Sequence, residues 1–353
     1  MKLNIVQFLT NASIRMSMML IPVLAEETGA DLIQIGLIVC AYSLCLFVSS
    51  YMFSKAADAW NIKKLLLSGL ACSAAAYFLQ VFANDPLSLG LARGLLGICI
   101  GMYPASLIMH VYGMKRSIGK FSSFGSLGWA AGFLGAGIIG DYDLIFAASS
   151  VLIVLSFAIA LTLPDVDVPR LNVKYLSLDT VRANWDVYLT LLFRHTGATA
   201  VWVIFPLYLT DLGADAFWIG IIYAVNPIMQ FFVMRRLDGR NMTSIVKYGY
   251  LISAIAFLSY IPPATFYYII PGMMMIAVSW SFLYVGSTEL MLHRNQDKGT
   301  AAGLITSVIS LSSVVGSLVG GVVSHYCGFL AVLVAGSGLS FISFLIWIKY
   351  SKY

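Results

Sequence analysis

Long apolar stretches alternate with short polar ones along the whole chain. Twelve of the apolar runs are about 20 residues long, enough for a helix to cross the roughly 30 Å hydrocarbon layer of a bilayer. No run alternates with a period of two, so helices satisfy the backbone polar groups better than barrel strands would. The predicted spans, each approximate at its ends, cover residues 4–25, 32–53, 64–83, 87–112, 119–140, 144–163, 187–210, 216–234, 245–262, 266–290, 300–323 and 328–348.

The composition predicts an all-α polytopic membrane protein. Of the 353 residues, 60% are hydrophobic and 10% are charged, whereas a soluble domain carries about 25% charged residues. We predict that the first run is the first membrane span rather than a signal peptide, because it is too long, holds Arg15 near its centre and lacks a small-residue cleavage site. The five cysteines are scattered without CxxC or Cys/His spacing, so we expect no disulfide, metal site or cofactor.

The sequence contains an internal repeat. Residues 29–38 resemble residues 213–222, which lie 184 positions later. A repeat near both ends of each half predicts a duplicated unit of about 165–185 residues, and in so apolar a chain it indicates a transporter. We expect the paired glycines to allow close helix packing. The same offset of 184 joins Pro22 to Pro206, Gly132 to Gly316, Gly137 to Gly321 and Tyr142 to Tyr326.

Acidic and basic residues lie in different sets of loops along the chain. The loops that follow odd-numbered spans contain eight acidic residues and no Lys or Arg, whereas 18 of the 21 basic residues lie at the termini, in the other loops or at the span ends beside them. The positive-inside rule therefore predicts a multi-pass protein of the cytoplasmic membrane with both termini in the cytoplasm. The net charge of +5 is explained by this pattern, and we expect no nucleic-acid partner.

The longest polar stretch separates the two halves. Prolines at 164 and 169 interrupt any helix there, and the mixed charges keep the segment in water. We predict a six-helix bundle at 1–163, a cytoplasmic linker at 164–186 and a second six-helix bundle at 187–353. The linker is too short to bury the core of an inserted domain.

A polar loop follows the second span of each half, SKAADAWNIKK at 54–64 and MRRLDGR at 234–240. These loops resemble the Gly-x-x-x-Asp-Arg-x-Gly-Arg-Arg loop of the major facilitator superfamily, although 54–64 lacks the first Gly and the first Arg. Twelve spans, two halves, a cytoplasmic linker and cytoplasmic ends extend the resemblance over essentially the whole chain. An aspartate that ties helices together on the cytoplasmic side is implied by the resemblance, and a solvated turn is the alternative. The gating candidates are Asp58, Lys63, Lys64, Arg235 and Asp238.

The fourth span carries a second point of resemblance. Arg93 begins an Arg-x-x-x-Gly pattern like the one in the family's fourth span, and Gly97 and Gly101 should allow close helix contact on one face. The fifth span is rich in glycine but lacks the Gly-Pro pair typical of the family's drug–proton antiporters. Drug–proton antiport therefore stands only as an alternative within the transporter class.

Three arginines lie inside predicted spans, namely Arg15, Arg93 and Arg194. An arginine at the bilayer centre costs at least ~2.5–3.5 kcal/mol on insertion scales, so each should face a cavity or a partner. Asn11 and Arg15 share one face of the first helix with Gln7. Fixed positive charges with few buried acids suit an anionic solute such as a carboxylate or phosphate. Structural bracing is the alternative for each arginine.

The second half supplies polar aromatic and amide groups. Spacings of i, i+3 and i+7 place the eighth-span candidates on one face, and aromatic rings with polar tips suit a small organic solute. Helix packing explains any one of them equally well. The candidates are His195, Tyr223, Asn226, Gln230, Trp280 and Tyr284, with Tyr42, Tyr103 and Trp129 as weaker ones.

Coupling to H⁺ requires a group that changes charge within the path. Glu289 is the only acid well inside a span, and it lies near the cytoplasmic end of the tenth. A role at the helix end or a pair with Arg294 is the alternative, and another coupling ion would leave no signature. The histidines are dispersed, and no HExxH or Ser-centred motif is present, so an enzyme is not expected.

We therefore predict a monomeric secondary transporter in the lipid bilayer that moves a small organic solute, anionic on the arginine argument. Alternating access between two six-helix bundles is implied by the resemblance and by the repeat. The alternative outside the transporter class is a receptor or scaffold on a carrier fold, which the short loops disfavour.

Overall fold

A computed structural model of the chain describes residues 1–18, 21–30, 32–59, 61–166, 178–214, 216–261 and 265–351. Within these residues the protein is all helical, as the apolar pattern predicts. Contacts divide the chain into two compact units, the first formed by Met1–Ser177 and Leu292–Ser310 and the second by Leu178–Met291 and Leu311–Tyr353. The predicted division at 164–186 remains a prediction.

The first unit contains eight whole helices among its described residues, besides the last residues of the thirteenth helix and the first turns of the fourteenth. Helices α1 and α2 together cover the first predicted span, and α5 and α6 the fourth, where Tyr103 precedes Pro104 at the break. A short 3₁₀ turn, Gln80–Phe82, follows α4. The helices are α1 Lys2–Met18, α2 Ile21–Glu27, α3 Leu32–Ala59, α4 Ile62–Leu79, α5 Pro86–Gly101, α6 Pro104–Gly113, α7 Ile118–Ile139 and α8 Tyr142–Leu161.

The remaining helices begin in the second unit, apart from the first turns of α14. Two predicted spans form one helix, α14, which is broken at Gly328, where φ is 78°. The helices are α9 Leu178–Ala183, α10 Trp185–Asp211, α11 Ala216–Met234, α12 Met242–Leu258, α13 Ile269–Arg294 and α14 Lys298–Tyr350.

Each of the twelve predicted spans coincides with helical structure. Eight helical stretches of the described residues are long and apolar enough to cross a bilayer, and Ile221–Met234 and Met242–Leu258 are shorter apolar helices. The protein is therefore a multi-pass membrane protein. The eight stretches are Leu37–Ala57, Ile62–Phe82, Pro86–Gly113, Ile118–Ile139, Tyr142–Leu161, Phe266–Arg294, Lys298–Ser324 and Tyr326–Tyr350.

The internal repeat persists at the level of single contacts. Gly132 lets α7 approach α1 so closely that an added Cβ would lie 2.5 Å from the carbonyl oxygen of Ala12 and 3.0 Å from the Cβ of Arg15. Gly316 lets α14 approach α10 in the same way, with an added Cβ 2.5 Å from the Thr196 oxygen and 2.8 Å from the Thr199 Cβ. Each of these residues is joined to its counterpart by the offset of 184.

The other glycine pair behaves differently. A Cβ added to Gly137 or Gly321 would meet no atom of the described residues within 4 Å. The expectation of close packing is therefore confirmed for Gly132 and Gly316 and is wrong for this pair, because these two glycines face away from the helix contact.

A second offset, 180, relates α4 and α5 to α12 and α13. Asn61 and Asn241 are 180 positions apart, and each caps its helix through its side-chain oxygen, at 2.9 Å and 3.0 Å. Gly69 packs against Met102 and Tyr103, and Gly249 packs against the residues 180 positions after those two. The two halves therefore share their internal packing as well as their order of helices.

Asp85 fixes the start of α5 in a capping box. Its carboxylate accepts from the backbone nitrogens of Leu87 and Ser88 at 2.9 and 3.0 Å, and Ser88 Oγ donates to Oδ2 at 2.6 Å. The hydroxyl of Ser88, its backbone N–H and that of Leu87 together hold the pKa of Asp85 below its usual value.

Candidate cationic and aromatic sites

In the first unit, Arg15 lies on the face of Trp129. The guanidinium carbon is 4.0 Å from the indole centroid and 5.9 Å from that of Phe133, which is cation–π geometry. The indole is fixed in turn, because its Nε1–H donates to Asn11 Oδ1 at 2.7 Å. Arg15 and Asn11, one turn apart on α1, therefore hold the face and the N–H edge of the same ring.

Glycines on α7 bring this group together. Added Cβ atoms at Gly125, Gly128 and Gly132 would meet Gln7, Asn11 and Arg15 respectively. The prediction that these three α1 residues share one face is confirmed. Of the Arg15 nitrogens, Nη1 contacts Met18 Sδ at 3.8 Å, and Nε is buried with no hydrogen-bond partner among the described residues. Arg15 thus has a buried Nε donor that no acceptor of the described residues uses.

Arg93 occupies a separate position on α5. It is 2% exposed, its Nη1 donates to Gln80 Oε1 at 3.2 Å, and its guanidinium carbon lies 4.5 Å from the Tyr42 centroid. Gly97 and Gly101 let α5 pack closely on α3, as predicted, and this contact places Tyr42 beside Arg93.

In the second unit, Arg194 is held by neutral groups. It is 2% exposed, and its Nε donates to Ser253 Oγ at 2.8 Å while Nη2 lies 3.4 Å from Ser279 Oγ. Its guanidinium carbon is 5.4 Å from the Trp280 centroid. The alternative of an Arg194 side chain extended toward the membrane surface is therefore wrong.

Three rings continue from this arginine. The His195 and Trp280 centroids are 5.0 Å apart, and those of Trp280 and Tyr284 are 5.7 Å apart in a stacked arrangement. Trp280 is buried, whereas His195 and Tyr284 are half-buried. Four predicted site residues thus form one cluster, in which a flat apolar surface adjoins a cation.

The three candidate residues on α11 do not form a single group. Gln230 Nε2 donates to Asn226 Oδ1 at 2.5 Å. Tyr223 packs instead with Trp202 and Phe205, at centroid distances of 6.0 Å each, and its hydroxyl lies 3.5 Å from the Trp202 carbonyl oxygen. Tyr223 therefore belongs to an aromatic core group.

The gating candidates lie at helix ends. Lys63 and Lys64 are in the first turn of α4, and Arg235 and Asp238 are exposed in the turn between α11 and α12. The side chain of Asp58 lies outside the described residues. These positions agree with solvated turns, and the gating roles remain a proposal.

Glu289 is half-buried on α13. The charged group that acts on its carboxylate is another carboxylate, Asp238. Proton coupling by Glu289 and its pair with Arg294 both remain predictions. In the described part of the chain no three His, Cys, Asp or Glu residues lie close enough to hold a metal ion.

The chain was compared with known proteins. A sequence profile described as the Major Facilitator Superfamily matches residues 3–294. The chain belongs to the major facilitator superfamily. A search of curated proteins finds no match.

Solved structures of transporters share the fold. The human organic anion transporter MFSD10 (TETRAN) is 15% identical with a TM-score of 0.81, and 98% of each chain is covered. A mutant of the nucleoside transporter NupG is 13% identical with a TM-score of 0.70, and 99% of each chain is covered. A bacterial homologue of the iron transporter ferroportin, in an outward-facing state with soaked iron, is 11% identical with a TM-score of 0.81, covering 100% of this chain and 99% of that one. At these identities the similarity shows the fold of superfamily transporters rather than a substrate.

Sequence reasoning missed several partners of the arginines. Gln80, Ser253 and Ser279 are buried polar residues inside apolar predicted spans, and that placement is the one signal the sequence contains. Trp129 was only a weak candidate, because its contacts join residues 118 positions apart.

Proposed function

We propose that the protein is a secondary active transporter that moves a small organic anion across the cytoplasmic membrane by alternating access of its two six-helix bundles. The observation that carries the proposal is the Arg15 guanidinium, oriented on Trp129 with a buried Nε that no described residue accepts from. Such a planar donor edge matches a carboxylate or phosphate.

The second unit supports the same reading. Among the described residues Arg194 donates to serine hydroxyls, and the titratable groups that act on it and on Arg15 are tyrosines rather than carboxylates. The described residues therefore do not neutralise the positive charge, and the adjoining rings of His195, Trp280 and Tyr284 offer an apolar surface for the rest of an organic molecule.

The fold does not select the solute by itself, because it is shared with carriers of organic anions, nucleosides and iron. The cationic residues are what favour an anion. We also propose that the basic loops and both termini face the cytoplasm, with the Asp58 and Asp238 loops acting as cytoplasmic gates. Glu289 is the candidate for proton coupling.

Thermal unfolding of the purified protein should be screened against organic anions, amino acids, sugars and lipophilic cations, since a ligand stabilises the state that it binds. We expect organic anions alone to raise the melting temperature. Uptake of the best of them into proteoliposomes, with and without a proton gradient, then tests transport and coupling. Binding of a partner protein with no flux of any solute class would instead support a receptor.

Arg15→Gln and Arg15→Lys separate binding from structure. We expect Arg15→Gln to lose binding of the anion, and Arg15→Lys to weaken it roughly tenfold or more, since a hydrogen bond to a charged group contributes about 1.5–3 kcal/mol. Both should unfold near the wild-type temperature in the absence of solute. A collapse of stability in both variants would show that Arg15 is structural.

A further inference from the structure

Arg93 is surrounded by buried donors. It is joined to Gln80, which is 1% exposed, by the 3.2 Å hydrogen bond from Nη1 to Oε1. Arg93 Nε and Gln80 Nε2 are both buried and lack a hydrogen-bond partner among the described residues. Both atoms are N–H donors, so what the pair requires is an acceptor.

The orientation of the Gln80 amide follows from the same bond. Arginine has only donors, so Gln80 must turn its oxygen toward the guanidinium, and its NH₂ group must then point elsewhere. The pair therefore presents a guanidinium N–H and an amide N–H as unused donors. Flipping the amide would place its NH₂ group against the guanidinium donors, and it would supply no acceptor to the buried donors.

The groups around Arg93 supply no negative charge. The ring of Tyr42 covers the guanidinium at 4.5 Å. The titratable groups that act on Arg93 are Tyr42 and Tyr77. Within the described part of the chain no carboxylate lies within 4.0 Å of Arg93 or acts on it. A buried charge without a counter-charge is strongly unfavourable.

The second half of the internal repeat shows that the fold does not require the charge of Arg93. The offset of 180 carries Gln80 to Tyr260 and Arg93 to Met273. Those two residues make the equivalent contact, with Tyr260 Oη donating to Met273 Sδ at 3.2 Å. A neutral pair therefore closes the same junction between helices, and the packing alone does not account for Arg93 and Gln80.

We propose that Arg93 and Gln80 bind a small monovalent anion of the halide class, such as chloride, inside the first unit. Burial to 1–2% leaves these side chains little surface for an organic solute, and a monatomic anion can accept from several donors at once. The hydrogen bonds and ring contacts of Arg93 differ from those of Arg15 to Trp129, Phe133 and Met18, and Tyr42 acts electrostatically on both arginines. The halide site is proposed in addition to the solute site, and the Arg15→Gln variant described below tests whether the two are independent.

The test is anion-specific thermal stability of the full chain in detergent. Chloride is titrated against gluconate at constant ionic strength, with bromide as a second halide. We expect a saturable rise in melting temperature of about 2–5 °C with either halide and none with gluconate. Anomalous scattering from crystals grown in bromide should show a peak in contact with Arg93 Nε and Gln80 Nε2.

Two variants sharpen the test. Gln80→Glu supplies a carboxylate to Arg93, so its melting temperature should not depend on halide and should equal or exceed that of the wild type in gluconate. The double variant Gln80→Tyr/Arg93→Met reproduces the pair of the second unit and should fold without a halide response. Arg15→Gln is the matched control, because it removes a different arginine of the same unit and should keep the response.

Three results would overturn the site. They are an equal response of the wild type to halide and gluconate, a halide response that survives in Gln80→Glu, and a response that only Arg15→Gln abolishes. If the double variant does not fold, Gln80→Glu still decides, since only anion binding predicts that a carboxylate replaces the halide. Loss of solute binding in Arg15→Gln with the halide response intact shows the two sites to be independent.

Discussion

Gly316→Ala should destabilise the protein through a single methyl group. The glycine lies where α14 crosses α10, and the added Cβ would lie 2.5 Å from the Thr196 carbonyl oxygen, 2.8 Å from the Thr199 Cβ and 3.2 Å from the Ala200 nitrogen. Two of these three neighbours are backbone atoms, which cannot rotate away. The two helices must therefore separate.

The size of the effect follows from the overlap. Carbon and carbonyl oxygen normally approach to about 3.3–3.6 Å, so the helices must move apart by roughly 1 Å at this point. Overpacking of this kind costs about 1–3 kcal/mol. For a unit of 150–250 residues, 1 kcal/mol corresponds to about 2–4 °C, so we expect the melting temperature of Gly316→Ala to fall by about 2–12 °C.

The chain provides matched controls. Gly321→Ala makes the same chemical change further along α14, where a Cβ meets no atom of the described residues within 4 Å. Alanine is favoured over glycine in a helix by up to ~1 kcal/mol, so Gly321→Ala should raise the melting temperature by about 0–4 °C. Gly132→Ala and Gly137→Ala repeat the comparison in α7.

Intrinsic-fluorescence unfolding of the four purified variants in one detergent measures the difference. The decisive quantity is the gap between Gly316→Ala and Gly321→Ala, because detergent and purification affect both equally. Equal melting temperatures for these two variants would refute the close contact between α14 and α10. If the two α14 variants differ in melting temperature but the two α7 variants do not, the contact is not repeated in the first unit.

Three further substitutions test individual hydrogen bonds. Trp129→Phe keeps a ring but removes the donor to Asn11, and unfolding in detergent should show a loss of about 0.5–1.5 kcal/mol. Ser253→Ala leaves the buried Nε of Arg194 without its 2.8 Å acceptor, and the same assay should show a loss of about 1.5–3 kcal/mol. Asp85→Ala removes a helix cap. Because the pKa of Asp85 is lowered, its stabilisation is present above about pH 4 and is lost as the pH falls through that lowered pKa, so wild type and variant should converge in thermal melts at acid pH.

Span positions could be predicted because each depends on a local property of about 20 residues. The break between α5 and α6 is also local, and Pro104 marks it. The prediction missed it because the apolar run 87–112 continues through the break. The break in α14 at Gly328 has a positive φ, but a glycine-rich sequence does not reveal which glycine adopts one.

Side-chain partners were not predictable in the same way. Asn11 and Arg15 could be placed on one face from their spacing, but their shared contact with Trp129 depends on how α7 packs against α1. Likewise, the sequence repeat pairs Gly132 and Gly137 with their counterparts in the same way, and only the helix packing shows that Gly132 lies at a contact and Gly137 does not. Contacts between helices that are distant in sequence depend on tertiary packing. A short segment of the sequence does not reveal them.

The repeat provides a comparison that one sequence seldom offers, since each arginine can be set against the residue that makes the same contact in the other copy. Arg15 and Thr199 occupy equivalent positions against Gly132 and Gly316, and Arg93 corresponds to Met273. The packing of each copy is thus compatible with a neutral residue. Burying an unpaired guanidinium lowers stability, and nothing in the equivalent contact offsets that loss. A ligand that brings negative charge does offset it, and for this reason the positions where the copies differ in charge are where binding should be sought.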